Sequence, residues 1–290
     1  MRPLLSNIST AILLTLFSTH AAFAEEASAQ TTPATAVAAA SHMDASIGYE
    51  FLSDTTTAGQ EATTQFMPFG FAAESENYVF EISVPYINRS APAGKVLKNH
   101  HEESHKTTTV SAIVANQGFG DVTTSLQRFI LKEEASALNL SARAEMKIAT
   151  ADTTKGLGTG VNDYFVEILG SKTMNKLTGK ASIGYALLGT PGTITVNEDG
   201  KNTASVTLSF NNIYFGSIGT AYELSEQLSA NAGFEYGQAA ESGGFEQRDL
   251  SGGIKFKYSD KQTLQLRAVK SVTPGLSIWG ASLSLSHQYD

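Results

Sequence analysis

The chain has 290 residues, with 20 lysines and arginines against 28 aspartates and glutamates, 6 histidines and no cysteine. A formal net charge of −8 leaves no broad face to neutralise phosphates, so nucleic acid is not an expected partner. The lack of cysteine excludes disulfides, thiolate chemistry and Cys-ligated metal centres. Charged residues make up only 17%, where a soluble protein carries about 25%, so the chain is read for strands rather than long helices.

Residues 1–24 read as a cleavable signal peptide. Arg2 supplies the positive start, Ala11 to Phe17 the apolar run, and Ala22-Phe23-Ala24 the small residues at the cleavage positions. The run is too short for a spanning helix, which needs about 20 apolar residues. Residues 25–42, mostly Ala, Thr, Ser and Gln, read as a flexible periplasmic tail.

From residue 43 to 290 the hydrophobic pattern has period two. In Leu138–Ile148 every even position is apolar and every odd one polar or charged, which only a strand sorts onto two faces. Such segments recur at 43–52, 61–73, 76–87, 118–131, 137–150, 160–171, 176–188, 205–223, 227–239, 246–258, 261–270 and 275–289. Most are longer than a globular strand of about 5–6 residues and suit a tilted membrane strand of about 9–11. The links alternate between short turns and longer loops, the longest being Asn88–Gln117. Outer-membrane barrels sort their connections in this way, with the short ones periplasmic, and a soluble sandwich has no reason to do so. The expected fold is therefore all-β: an antiparallel transmembrane β-barrel of about 12 strands in a Gram-negative outer membrane.

Closure of the sheet satisfies every backbone group where lipid cannot. One face, including Phe80, Ile82, Val84, Leu140, Met146, Ile183, Tyr185, Phe234 and Phe256, is expected to meet outer-membrane lipid. The other is expected to line the lumen with Glu81, Arg143, Glu145, Lys147, Glu167, Lys180, Glu235, Lys255, Lys257 and Arg267. Their mixed signs argue against strong ion selectivity. Tyr49, Tyr86, Tyr185, Tyr236, Tyr258, Trp279 and Tyr289 fall where an interfacial aromatic girdle would lie.

Four short motifs punctuate the pattern: Ser83-Val84-Pro85-Tyr86, Gly118-Phe119-Gly120-Asp121, Lys147-Ile148-Ala149-Thr150, and Gly156-Leu157-Gly158-Thr159-Gly160-Val161-Asn162-Asp163-Tyr164. With the signal and tail they resemble the bacterial outer-membrane family named for the MetA pathway of phenol degradation. The resemblance is detailed over Ile82 to Gly189 and one of pattern elsewhere. It implies a transporter or channel barrel for aromatic or other small organic solutes and carries over no catalytic residues. Barrels of this kind commonly end in an aromatic residue read by the barrel-insertion machinery; here Tyr289 is followed by Asp290.

Two motifs invite other chemistry. The glycines from Gly156 to Gly160 lead into a strand rather than a helix, so they suit a tight loop better than a phosphate site. His100, His101 and His105 sit in the longest loop, where a solvated surface is the plainer reading and a surface metal site the sharper one. The remaining mature histidines, His42 and His287, fall at expected periplasmic ends, away from where a barrel enzyme would need a Ser–His pair. The sequence thus points to passive uptake of small solutes without a cofactor, with the loop 88–117 as a gate. The alternatives are a plugged barrel whose outer loops bind a partner or metal and, further off, a barrel enzyme.

Overall fold

The computed structural model describes residues 42–55, 61–92, 96–98, 101–103, 113–133, 137–198, 202–241, 244–274 and 276–289. Residues 1–24, expected to be a signal peptide, and residues 25–41 lie outside them.

The described residues form seventeen strands, in chain order β1 (His42–Thr55), β2 (Glu61–Glu74), β3 (Tyr78–Pro92), β4 (Val96–Lys98), β5 (His101–Glu103), β6 (Ile113–Phe119), β7 (Val122–Leu131), β8 (Asn139–Ile148), β9 (Asp163–Met174), β10 (Leu177–Leu187), β11 (Gly192–Glu198), β12 (Asn202–Leu208), β13 (Ile213–Glu223), β14 (Leu228–Gly237), β15 (Gln247–Ser259), β16 (Gln262–Ser271) and β17 (Ser277–Tyr289). β4–β5 and β11–β12 are separate hairpins within two of the loops. The others pair antiparallel in one sheet that closes on itself. β1 joins β17 over an unbroken register from Met43 opposite Tyr289 to Thr55 opposite Ser277. β6 and β7 act as a single stave, both pairing with β3, with the chain breaking at Gly120-Asp121 between them. The barrel therefore has twelve staves.

Short and long connections sort as the sequence implied. Residues 75–77, 175–176, 224–227 and 260–261 make the turns at the end that carries both strand termini, His42 and Tyr289, and the short β7–β8 link falls at the same end. The opposite end carries the longer links, including 149–162 and 188–212. These are called the turn end and the loop end below.

Alternation decides which residues face out. On β10, Ile183 is 64% exposed while Ala186 is fully buried. Phe69, Phe71, Phe80, Ile82, Leu126, Val166, Ile168, Ile218, Leu250, Ile254, Leu266 and Leu283 are likewise exposed, which in water would be a severe liability. They form an apolar band that lipid would cover. Tyr164, Tyr214 and Trp279 lie near the loop ends of their strands, and Tyr78, Tyr222, Tyr258 and Tyr289 near the turn ends. Two aromatic rims thus bound the band, with Tyr185 packed on Tyr214 at 4.8 Å and Phe51 on Trp279 at 5.2 Å.

Two expected spans change. The eighth strand, expected from residue 205, begins at Ile213, and Asn202–Leu208 belongs to the β11–β12 hairpin. The alternation breaks at Asn211-Asn212, where the Asn212 side chain accepts from the Leu188 backbone N–H at 3.0 Å. Leu208 and Phe210 turn inward there and join a buried cluster with Phe165, Ala186, Leu188, Ile213, Phe215 and Ala240. The loop expected over Asn88–Gln117 is also shorter, because β3 runs on to Pro92 and β6 starts at Ile113.

Candidate functional site: the barrel interior

The charged positions expected to line the lumen differ in burial. Glu81, Arg143, Glu145, Lys147, Glu167, Glu235, Lys255 and Arg267 are all buried. Lys180 is half-buried near the turn end of β10. Lys257 is exposed, next to a break in the β15–β16 register at the turn end.

Buried charges need partners, and most of these have them. Arg143 Nη2 donates to Glu81 at 3.0 Å and to Glu145 at 3.1 Å. The Ser125 hydroxyl donates to the same Glu81 oxygen at 2.9 Å. Arg267 meets Glu235 at 2.6 Å. Lys147 Nζ lies 2.8 Å from Asp163 and 3.5 Å from Asp121, and donates to the Thr159 hydroxyl at 3.0 Å. Glu81, Ser83, Thr123, Ser125, Arg143 and Glu145 surround a small polar cavity.

The Lys147 cluster draws the glycine motifs together. Asp121 accepts from the backbone N–H groups of Thr150 at 3.0 Å and Ala151 at 2.9 Å. The loop 149–162 then makes a single 3-10 turn, Thr153–Lys155, capped by the Asp152 carboxylate and closed by Gly156 in the left-handed region at φ 66°. Leu157 follows and is 2% exposed, packed inside the barrel with Leu52, Phe66 and Ile87. A Cβ on Gly158 would stand 2.7 Å from that of Ala151 and 2.8 Å from the Asp121 carboxylate, so only glycine lets the loop come this close. Loop 149–162 is thus an inward-folded segment latched by ion pairs. The sequence reading offered residues 88–117 as a gate over the mouth; the central part of that loop lies largely outside the described residues.

Filling of the interior is uneven. Towards the loop end, Leu52, Phe66, Ile87, Leu157, Thr159, Asp163, Phe165, Ala186, Ile213, Phe215 and Ile278 are all buried. Lower down, the wall formed by β13–β17 and β1 turns small residues inward. Ser217, Gly219, Asn231, Gly233, Ser251, Gly253, Ser282, Ser284, Ser46 and Gly48 share the inner face yet stay partly exposed. Water reaches these positions between the buried side chains of Glu235, Lys255, Gln265 and Arg267 on the same wall, beneath an upper half filled by loop 149–162, by apolar side chains and by the Lys147 cluster.

Sequence reasoning placed Asp163 among the interior charges but left out other interior residues, among them Asp121, Thr159 and Asp249. Strand parity alone would have supplied Asp249 and Gln127. Asp121 and Thr159 lie in a strand break and a loop, where parity gives no direction. Among the other candidates, His42 sits at the turn end, 3.3 Å from Glu74 and 3.5 Å from Asp44, and His287 packs on Tyr289 at 4.6 Å. His100 and His105 lie outside the described residues, and for His101 only the backbone, in β5, is described.

No family model matches the sequence, and no curated protein matches it significantly. Solved structures do. A crystallised outer membrane channel from Pseudomonas putida F1 superposes with a TM-score of 0.62, covering 90% of this chain and 100% of the channel at 12% identity. The NanC porin (TM-score 0.49, 9% identity, 84% of this chain and 98% of the porin) and the CymD monoaromatic hydrocarbon channel (0.45, 10%, 86% and 88%) are more distant. At such identity the first likeness shows the architecture alone, a closed antiparallel barrel.

Proposed function

We propose that this protein is an outer-membrane barrel for passive uptake of small solutes. The observation that carries the reading is the uneven interior: a partly exposed polar lane on one wall below a densely filled upper half. A barrel serving only as a scaffold would gain stability by filling that lane with larger side chains. The P. putida F1 protein of the same architecture is an outer membrane channel, which agrees. Apolar residues at the loop end favour solutes with a hydrophobic or aromatic body, as does the resemblance in the four short motifs. On this reading the signal peptide directs export, the insertion machinery places the barrel, and lipid covers the exposed band.

The buried upper half favours a second reading, a plugged barrel that acts through its loops. One experiment separates the two. Residues 25–290 are refolded from detergent into a planar bilayer and single-channel current is recorded. Discrete steps support a conduit, whose conductance should be small because loop 149–162 fills the upper lumen. A folded, heat-modifiable barrel that stays silent, even after residues 152–160 are replaced by a short linker, would overturn it.

A further inference from the structure

Loop 149–162 is not held by the barrel wall alone. Loop 188–212, which follows β10 at the loop end and carries the β11–β12 hairpin, is built against it. The base of this outer loop is fixed. The Leu188 N–H donates to the Asn212 side chain at 3.0 Å, and Leu188, Leu208 and Phe210 are buried with Ile213 and Phe215. Three contacts join it to loop 149–162. The Gly189 N–H donates to Asp163 Oδ1 at 2.8 Å. A Cβ on Gly189 would stand 2.6 Å from the Asn162 carbonyl oxygen and 2.7 Å from a Val161 methyl, so the two backbones meet there with no room for a side chain. Further out, β11 packs against the 3-10 turn Thr153–Lys155.

Asp163 belongs to both holds. Its Oδ2 takes Lys147, which also donates to Thr159 inside the inward loop, and its Oδ1 takes the outer loop. One buried carboxylate thus ties the latch of loop 149–162 to loop 188–212. The inward loop has little else to keep it in place. Leu157 is its one fully buried large apolar side chain, and its 3-10 turn buries none. A segment with so few buried contacts opens at small free-energy cost, so a contact from outside weighs heavily on its position.

We propose that loop 188–212 is the outer half of a two-part gate, keeping loop 149–162 inside the lumen through Gly189 and β11. Displacing the outer loop releases the inward one. The hold is a property of the two loops and does not depend on flow; that its release opens a passage rests on the conduit reading.

Amide hydrogen exchange of the full mature chain, refolded in detergent, reads the hold directly. The N–H groups of Thr154, Lys155, Gly156 and Leu157 all donate to Asp152 or Thr153, so they are protected while the inward loop keeps its shape. Gly189→Val sets a branched side chain against Asn162 and Val161 and pushes the loops apart. A second variant replaces residues 193–207 by a short Gly-Ser linker, which removes the hairpin and leaves Gly189 in place, and it serves if Gly189→Val does not fold. Exchange over Thr154–Leu157 should quicken at least about 10-fold, the scale of one or two lost contacts, while the β16–β17 ladder keeps its wild-type rate. Wild-type exchange of the loop in the folded variants overturns the proposal. Exchange that quickens equally in loop and ladder overturns it too, because the contact would then hold the barrel and not the loop. Bilayer current separates the two readings: a released loop with no current refutes the conduit and keeps the hold, and current steps with unchanged loop exchange do the reverse.

Discussion

Lys147 shows how much one interior residue can organise. Its ammonium bridges Asp121 beside the β6–β7 break, Asp163 at the start of β9 and Thr159 in the inward loop. Removing one member of a buried ion pair leaves uncompensated charge and costs about 3–5 kcal/mol. Lys147→Met should therefore lower the stability of the refolded barrel by that order, read from urea unfolding in lipid vesicles. Gly158 tests the same junction sterically. Gly158→Val would drive two methyl groups towards Ala151 and the Asp121 carboxylate. The loop should release, and conductance should rise above wild type while the barrel stays heat-modifiable. Unchanged conductance would mean that the loop does not limit passage.

At the scale of the element, loop 149–162 and the strands behave differently. The strands are held by continuous antiparallel ladders, whereas the loop relies on a few side-chain contacts and one cap. Hydrogen bonds from the Thr154 hydroxyl and backbone N–H hold the Asp152 carboxyl below its usual range, with Lys155 adding to the effect. A depressed carboxylate contributes its stabilisation above its unfolded value and loses it as pH falls through the folded one. The cap is therefore complete at neutral pH and fails only in acid, below the ordinary aspartate range. Amide exchange across Thr154 to Gly156 should quicken there, and Asp152→Ala should give the acid behaviour at pH 7. Glu133, at the rim between β7 and β8, follows the same sign: Lys172 at 2.6 Å and the Thr173 backbone N–H hold its carboxyl low.

On the scale of the whole molecule, stability depends on what surrounds the apolar band. Ile183 is 64% exposed near the middle of that band. Ile183→Arg should cost about 2–4 kcal/mol in a bilayer, the depth-dependent cost of a lipid-facing cation near the midplane. The same change near a rim, at Tyr222, should cost no more than about 1 kcal/mol. Equal costs, measured by unfolding from vesicles, would mean that the band does not sit in lipid.

Much of this could be read from residue order, because period-two alternation is a local property. It specified the twelve staves to within a few residues, the outward face of Ile183 and the inward face of Arg143, and the sorting of turns from loops. It misplaced the start of β13, since the Leu208 to Asn212 segment keeps an apolar character while Phe210 and Asn212 break the pairing. The short motifs were visible too, but only as four separate strings. The tertiary structure decided that Asp121, Lys147, Gly158, Thr159 and Asp163 form one latch, and that loop 149–162 enters the lumen. The reason is physical. Alternation tells a side chain which face of the sheet it lies on, whereas the partner it finds across the lumen depends on closure, tilt and the path of a loop, none of which any short stretch of sequence contains.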